Sequence, residues 1–522
     1  MALLHEPDAR GVRRAAVPAG GARGVRRAGH HRGGGVLTAL HEPTATGTAG
    51  ASASSDEAER RPPALGAFAV HGHFYQPPRE DPFTGATIPD PSAQPARDWN
   101  ERIAAESYAP NAAHGNFGRI GWDLGPTLAR WLRREQPALH DAIVGQDDGH
   151  NGMAQSYHHA ILPLASARDR RTEIRWGMRD FELRVGRRPT GMWLPETAVD
   201  RLTLRICVEE GLRWTILAPW QAARHVDPGV AYAVEVGADR PMVVGFYDAE
   251  LSAAVSFDPG ATIDADRFVE RFVRPRLKSG ETVMIATDGE LYGHHQKQRE
   301  LFLQHLLTAG AAGSGVRTTS PGGWLGNGID VDALPRMAIR ERTSWSCHHG
   351  VARWGVECPC SGEATWKAPL RAALDRLAAA IDVRTELAAA ELGVDPWAAR
   401  DRYVDVASEF LDGDEWACRE LTAAGRQPGL APRQRLQDLM HAQASRLAMF
   451  ASCGWFWDDP NRPEVHGVLR CAAHAARLMD GMFGSRLEAS LVADLEAIPG
   501  GHGGWDGRAL YVAALRAVGQ PV

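Results

Sequence analysis

No run of apolar residues in this chain reaches the roughly 20 needed to cross a bilayer as a helix. The amino-terminal stretch also lacks the apolar core of a secretory signal. Positive charge is not in excess: 58 basic against 64 acidic side chains leave a formal charge of −6, which gives no general attraction to nucleic acid or to an anionic membrane. Cysteine is sparse and odd in number, and seven residues in 522 point to free thiols in a reducing, cytoplasmic compartment rather than to a disulfide framework. No His-x-x-x-His or His-Glu-x-x-His pair occurs, so the helical spacing of zinc hydrolases is missing. There is no internal repeat.

What is present is an ordinary globular composition, 44% apolar and 23% charged, with enough length for one large barrel and an accessory domain. Sixteen tryptophans stand out, since indole faces suit the stacking of sugar rings as well as core packing. Residues 1–63, rich in Arg, Gly and Ala, read as a disordered arm. Between residues 64 and 343, apolar runs alternate with helical patterns. Ala67–Val70, Trp214–Pro219, Pro241–Asp248 and Val283–Asp288 read as strands, and Leu124, Leu128, Trp131 and Leu132 form a helical stripe opened by Gly125-Pro126. Gly149–His159 reads as a polar loop. Alternation of this kind predicts a parallel α/β domain, in barrel form, whose chemistry lies in the loops after the strands. From 344 to 522 the pattern becomes mainly helical, with Trp366, Leu370, Leu374 and Leu377 on one face.

Two carboxylates follow such strands. Gly191-Met-Trp-Leu-Pro-Glu196 aims one through a proline that holds Leu194 extended, and Ala286-Thr-Asp288-Gly-Glu290 presents another. A glycosidase needs such a pair, about 5–5.5 Å apart to retain configuration and about 6.5–9.5 Å apart to invert it. On spacing alone each acid is more often a helix cap or a loop acid than a catalyst. Histidines 71, 73, 150, 158, 159, 294 and 295 also gather near predicted strand ends. They could bind a metal in the manner of a carbohydrate deacetylase or hold sugar hydroxyls; without zinc spacing, sugar contacts rank first. Cys347, Cys358 and Cys360 crowd with two histidines into one short span. Such a cluster could bind zinc, but its spacing fits no standard zinc knuckle, so the span reads first as a packed, thiol-containing loop and only second as a metal site.

Taken together the motifs resemble glycoside hydrolase family 57, whose members act on α-glucans. His71–Pro78 is similar to the family's first motif, usually His-x-His-Gln-Pro, although Phe74 and Tyr75 here separate His73 from Gln76. Gly149–Leu164 is similar to the second motif, Trp193-Leu-Pro-Glu196 to the third, and Ala286–His294 to the fourth. The resemblance implies an incomplete (β/α)7 barrel followed by a mainly α-helical C-terminal domain. It implies Glu196 as nucleophile and Asp288 as acid/base, with no cofactor and no metal. His71, His73 and Gln76 would bind hydroxyls, and His150, Trp193, Trp220, Glu290, Tyr292, His294 and Trp345 complete the expected substrate contacts. The expected substrate is an α-1,4-linked glucan, with no nucleic acid or membrane as partner, and hydrolysis, glucan transfer and branching remain open. A metal-dependent deacetylase and a catalytically inactive glucan-binding protein are the alternatives.

Overall fold

Ala67-Phe-Ala-Val-His-Gly-His-Phe74 is buried at every position, as a strand covered on both faces must be. It forms β1 (Ala67–Phe74) in the computed structural model, which describes residues 66–362, 364–498 and 505–521. The arm expected over residues 1–63 lies outside the described residues. After β1 come β2 (Gly121–Leu124), β3 (Gly152–Gln155), β4 (Met192–Trp193), β5 (Trp214–Leu217), β6 (Ala231–Val234), β7 (Met242–Phe246), β8 (Thr282–Asp288), β9 (Arg317–Thr319) and β10 (Arg336–Met337). One sheet runs β4-β3-β2-β1-β8, and a second runs β10-β6-β7-β5. A parallel bridge from Gly191 to Trp214 joins β4 to β5.

Seven parallel strands (β1 to β5, β7 and β8) therefore follow one another around an incomplete (β/α)7 barrel. The break falls between β7 and β8, because the antiparallel strand β6 occupies the free edge of β7. A hydrogen bond from the Asp248 N–H to the Met284 carbonyl, 2.7 Å, spans the gap just beyond β7.

Local chemistry sets the crossovers. Ser166 caps the helix Ala167–Val185, which stops at Gly186 in a left-handed conformation. Asp200 caps Arg201–Glu209 by accepting from the Thr203 N–H. One expectation needs correcting: the stretch Gly149–His159 is not all loop, since its middle is the barrel strand β3. Glu196 sits in a single 3-10 turn, Pro195–Thr197.

Beyond β10 the chain is helical: Lys367–Leu392, Pro396–Arg402, Gly413–Ala423, Leu430–Ala448, Pro463–Phe483, Leu487–Glu496 and Gly507–Arg516. The stripe Trp366, Leu370, Leu374 and Leu377 is buried, in a core that also takes in Trp176 from the barrel helix Ala167–Val185. The described residues form one compact unit across position 343/344. A buried ionic network ties barrel to helices. Asp169 accepts from Arg400 at 3.0 Å and Arg446 at 2.7 Å, and Arg446 also reaches Asp382 at 2.8 Å. Burial alone would raise the Asp169 carboxyl, but the two guanidiniums outweigh it and hold the group below its usual range. Asp169→Ala leaves two buried cations short of a partner and is expected to lower stability by about 3–5 kcal/mol. An unshifted denaturation midpoint would refute this.

Candidate active site

Several strands deliver side chains to one point at the carboxyl end of β1. His73 lies opposite Asp123 of β2 on one side and opposite Asp288 of β8 on the other. Gln155 of β3 lies opposite Trp193 of β4. Asp123 is fully buried and accepts from His71 Nε2 at 2.8 Å, His73 Nδ1 at 2.8 Å and Gln155 Nε2 at 2.5 Å.

These contacts set the charges. Burial alone would depress His73, but the negative charges of Asp123, Asp288 and Glu290 raise it to about 9. Burial likewise opposes ionisation of Asp123, yet His73 and His71 hold it at about 2. His71, lacking the two extra acids, is lowered by its burial. The pair at neutral pH is an imidazolium against a carboxylate. His73 is raised above its ordinary 6.5, so its contribution to stability is complete below 6.5 and is lost as pH rises through about 9. Asp123, depressed from 3.8, contributes above that value and loses its share as pH falls through about 2. The Tm gap between wild type and His73→Gln is therefore expected to narrow as pH climbs from 6.5 past about 9. A gap independent of pH would overturn the pairing.

The rings of His71 and His73 stack on Trp193 at centroid distances of 4.8 and 5.1 Å. Trp193 is fully buried, so it is the floor beneath the histidines rather than an open platform. Trp345 meets Trp193 edge-on at 4.9 Å. It comes from the loop after β10, as does Ser346.

Glu196 stands just past β4. Leu194 is extended ahead of Pro195, at φ −83° and ψ 131°, and Glu196 then turns left-handed at φ 56°. A non-glycine residue in that region costs on the order of 1 kcal/mol, which the surroundings must offset. The Trp345 N–H donates to the Glu196 carbonyl at 3.0 Å. Ser346 Oγ at 2.6 Å and Trp345 Nε1 at 3.1 Å both donate to Glu196 Oε2. The other carboxylate oxygen receives neither bond. At the head of this motif Gly191 has no alternative, since a Cβ there would run into the Trp214 ring.

Asp288 ends β8 partly exposed, within electrostatic reach of His73, Tyr247 and His295. A Cβ on the next residue, Gly289, would strike the Phe74 ring, so glycine lets the strand pass closely there. Glu290 is buried and accepts from Tyr108 at 2.5 Å and from Gln76 at 3.2 Å. Burial pushes it up to about 7, the Tyr108 hydrogen bond opposing and the charge of Asp288 adding. Gln76 and Glu290 are thus brought together.

Other expected contacts lie elsewhere. His150 is exposed before β3 begins, five residues and roughly 16 Å of chain from Gln155, at the opposite end of the barrel. Tyr292 is core, 2% exposed, and its carbonyl accepts from Ser107 and Asn111. His294 pairs with Glu106 at 2.6 Å. Trp220, by contrast, borders the site: it is partly exposed and donates to the Ser344 carbonyl at 2.9 Å, next to Trp345.

Residues outside the expected substrate contacts complete the site. Asp123 and Gln155 are single polar residues near the ends of short buried strands. Tyr75 stacks on His159 at 3.8 Å, His159 in turn faces His73 at 5.3 Å, and His159 Nδ1 meets Ser452 Oγ at 2.6 Å. The aromatic density of both motifs was the signal available for them.

The strand ends of this incomplete parallel barrel thus carry two carboxylates beside a histidine–aspartate cluster, an arrangement that suits a glycoside hydrolase or transglycosylase. Residues 67–315 match the model for glycosyl hydrolase family 57, so the barrel is a domain of that family. Residues 363–517 match a domain of unknown function, DUF3536. No curated protein matches the sequence. Among solved structures, the exo-type maltose-forming amylase of Pyrococcus sp. ST04 is similar at a TM-score of 0.69 and 15% identity, over 86% of this chain and 88% of that one. A family 57 branching enzyme from Thermococcus kodakaraensis gives 0.54 and 15%, over 82% and 94%. The 4-alpha-glucanotransferase of Thermococcus litoralis gives 0.52 and 13%, over 79% and 60%. At these identities the likeness concerns the fold.

Proposed function

We propose that this protein is a retaining glycosidase or transglycosylase acting on α-1,4-linked glucans. Glu196 is the nucleophile: its Oε1 attacks the anomeric carbon, and the developing ester leaves Oε2 hydrogen-bonded to Ser346 and Trp345. Asp288 gives its proton to the departing glucan oxygen, then takes one from the water or sugar hydroxyl that opens the glycosyl-enzyme. His73, with Nδ1 committed to Asp123, keeps Nε2 for a hydroxyl of the attacked sugar. Glu290 stays protonated below about 7, which spares Asp288 a second negative charge beside it.

The observation that carries the reading is the doubly hydrogen-bonded carboxylate of Glu196, set beyond the same histidine–tryptophan cluster that Asp288 borders on the other side. The solved structures similar in fold include an amylase, a branching enzyme and a glucanotransferase, so water and sugar hydroxyls are both candidate acceptors. The test is to incubate the protein with maltooligosaccharides and amylose and to follow chain length, branch linkage and the anomeric configuration of the first product. An α-anomer, or an α-linked transfer product, supports the proposal. A β-anomer released first would exclude retention, and unchanged substrate would exclude the substrate class.

A further inference from the structure

The loop after β10 folds back on itself so that Cys347, His349, Cys358 and Cys360 converge. Their sulfur and nitrogen atoms all lie within 4.8 Å of one another. The sulfur separations are 3.6 Å (Cys347–Cys358), 3.3 Å (Cys347–Cys360) and 3.1 Å (Cys358–Cys360), and His349 Nδ1 is 3.9 Å from the Cys347 sulfur. None of these cysteines is in a disulfide. A disulfide holds its sulfurs about 2.0 Å apart, and with three thiols one would always be left over. A tetrahedral zinc ion with Zn–S near 2.3 Å and Zn–N near 2.0 Å holds its ligand atoms roughly 3.5–3.8 Å from one another. The observed separations bracket that range closely enough that an ion needs only small side-chain adjustments.

We propose that Cys347, His349, Cys358 and Cys360 form a Cys3His zinc site that fastens the loop carrying Trp345 and Ser346. Three thiolates and one imidazole are a donor set that selects zinc over the oxygen-seeking cations. With zinc bound the cluster carries one net negative charge, and cations stand ready for it. The Arg353 guanidinium lies 3.4 Å from the Cys360 sulfur, and Lys367, fully buried, donates to the Arg353 carbonyl at 3.1 Å. The nearest carboxylate oxygen to Lys367, on Asp458, is 3.8 Å away. Cys347 and Cys358 are buried while His349 and Cys360 are exposed, so an ion can reach the site from solvent. The sequence showed the crowding and kept zinc as a lesser reading, but not which four donors meet, because they are adjacent only once the loop has closed.

The site is structural, since four protein ligands leave no open position for a substrate. It binds zinc whether or not the protein acts on glucans, so its test reads metal rather than turnover. The full chain, purified under reducing conditions without chelator and dialysed against zinc chloride and then metal-free buffer, is expected to hold one zinc per chain by elemental analysis. Replacing zinc by cobalt(II) should give the intense visible bands of a tetrahedral site together with sulfur-to-metal charge transfer. His349→Ala, at an exposed position, should speed zinc loss to a chelator by about tenfold or more. Chains that take up no zinc, a count of titratable thiols that does not fall by three when zinc is bound, or bound zinc indifferent to both His349→Ala and Cys358→Ser would each overturn the proposal.

Discussion

Glu196→Gln is expected to cut turnover of amylose and maltooligosaccharides by on the order of 10⁴-fold or more while leaving the protein folded. The amide has no charge with which to attack the anomeric carbon. Its oxygen, placed where Oε2 stands, can still accept from Ser346 and Trp345, so the turn keeps its anchors. The loss should therefore fall on kcat, with Tm little changed. A variant retaining even about a tenth of the wild-type rate would remove Glu196 from the covalent step.

Asp288→Asn should behave differently according to the leaving group. On unactivated glucans the loss is expected to be about 10²- to 10⁴-fold, the usual worth of a positioned proton donor. On an α-glucosyl fluoride, whose leaving group needs no proton, the first step should survive. Added azide, which needs no base, should then open the glycosyl-enzyme to an α-glycosyl azide. Glu290→Gln is the comparison, because Glu290 sits two residues on with its own carboxyl committed to Tyr108 and Gln76. If the fluoride and the glucan suffer alike in Asp288→Asn, Asp288 is not the acid.

Strands β1, β5, β7 and β8 were legible because each holds a mostly apolar run of β-branched, aromatic or large aliphatic residues that stands out from its flanks. β3 was not, because Gly152-Met-Ala-Gln155 is short and ends in a polar residue, so nothing in it contrasts with its flanks. β4 has two residues and no period at all. The misplacement of His150 has the same root. A shift of a few residues in a strand boundary moves a side chain from one end of a barrel to the other. The carboxylates Glu196 and Asp288 were readable through proline and glycine, whose backbone effects are local. Asp123, Ser346 and His349 were not, since what gives each its surroundings is a partner distant in sequence or a loop closed on itself.

The match to family 57 ends at residue 315, and the textural border in the sequence falls at 343/344. Trp345 and Ser346, which hold the carboxylate of Glu196, lie past both. The barrel is thus not a portable module. A chimera that joined this barrel to the helical half of a relative would inherit the acid without its two donors, unless the graft also carried the short loop. The loop and the Trp193–Glu196 turn are accordingly one working part split between two stretches of the chain, and a change in either is felt at the same carboxylate.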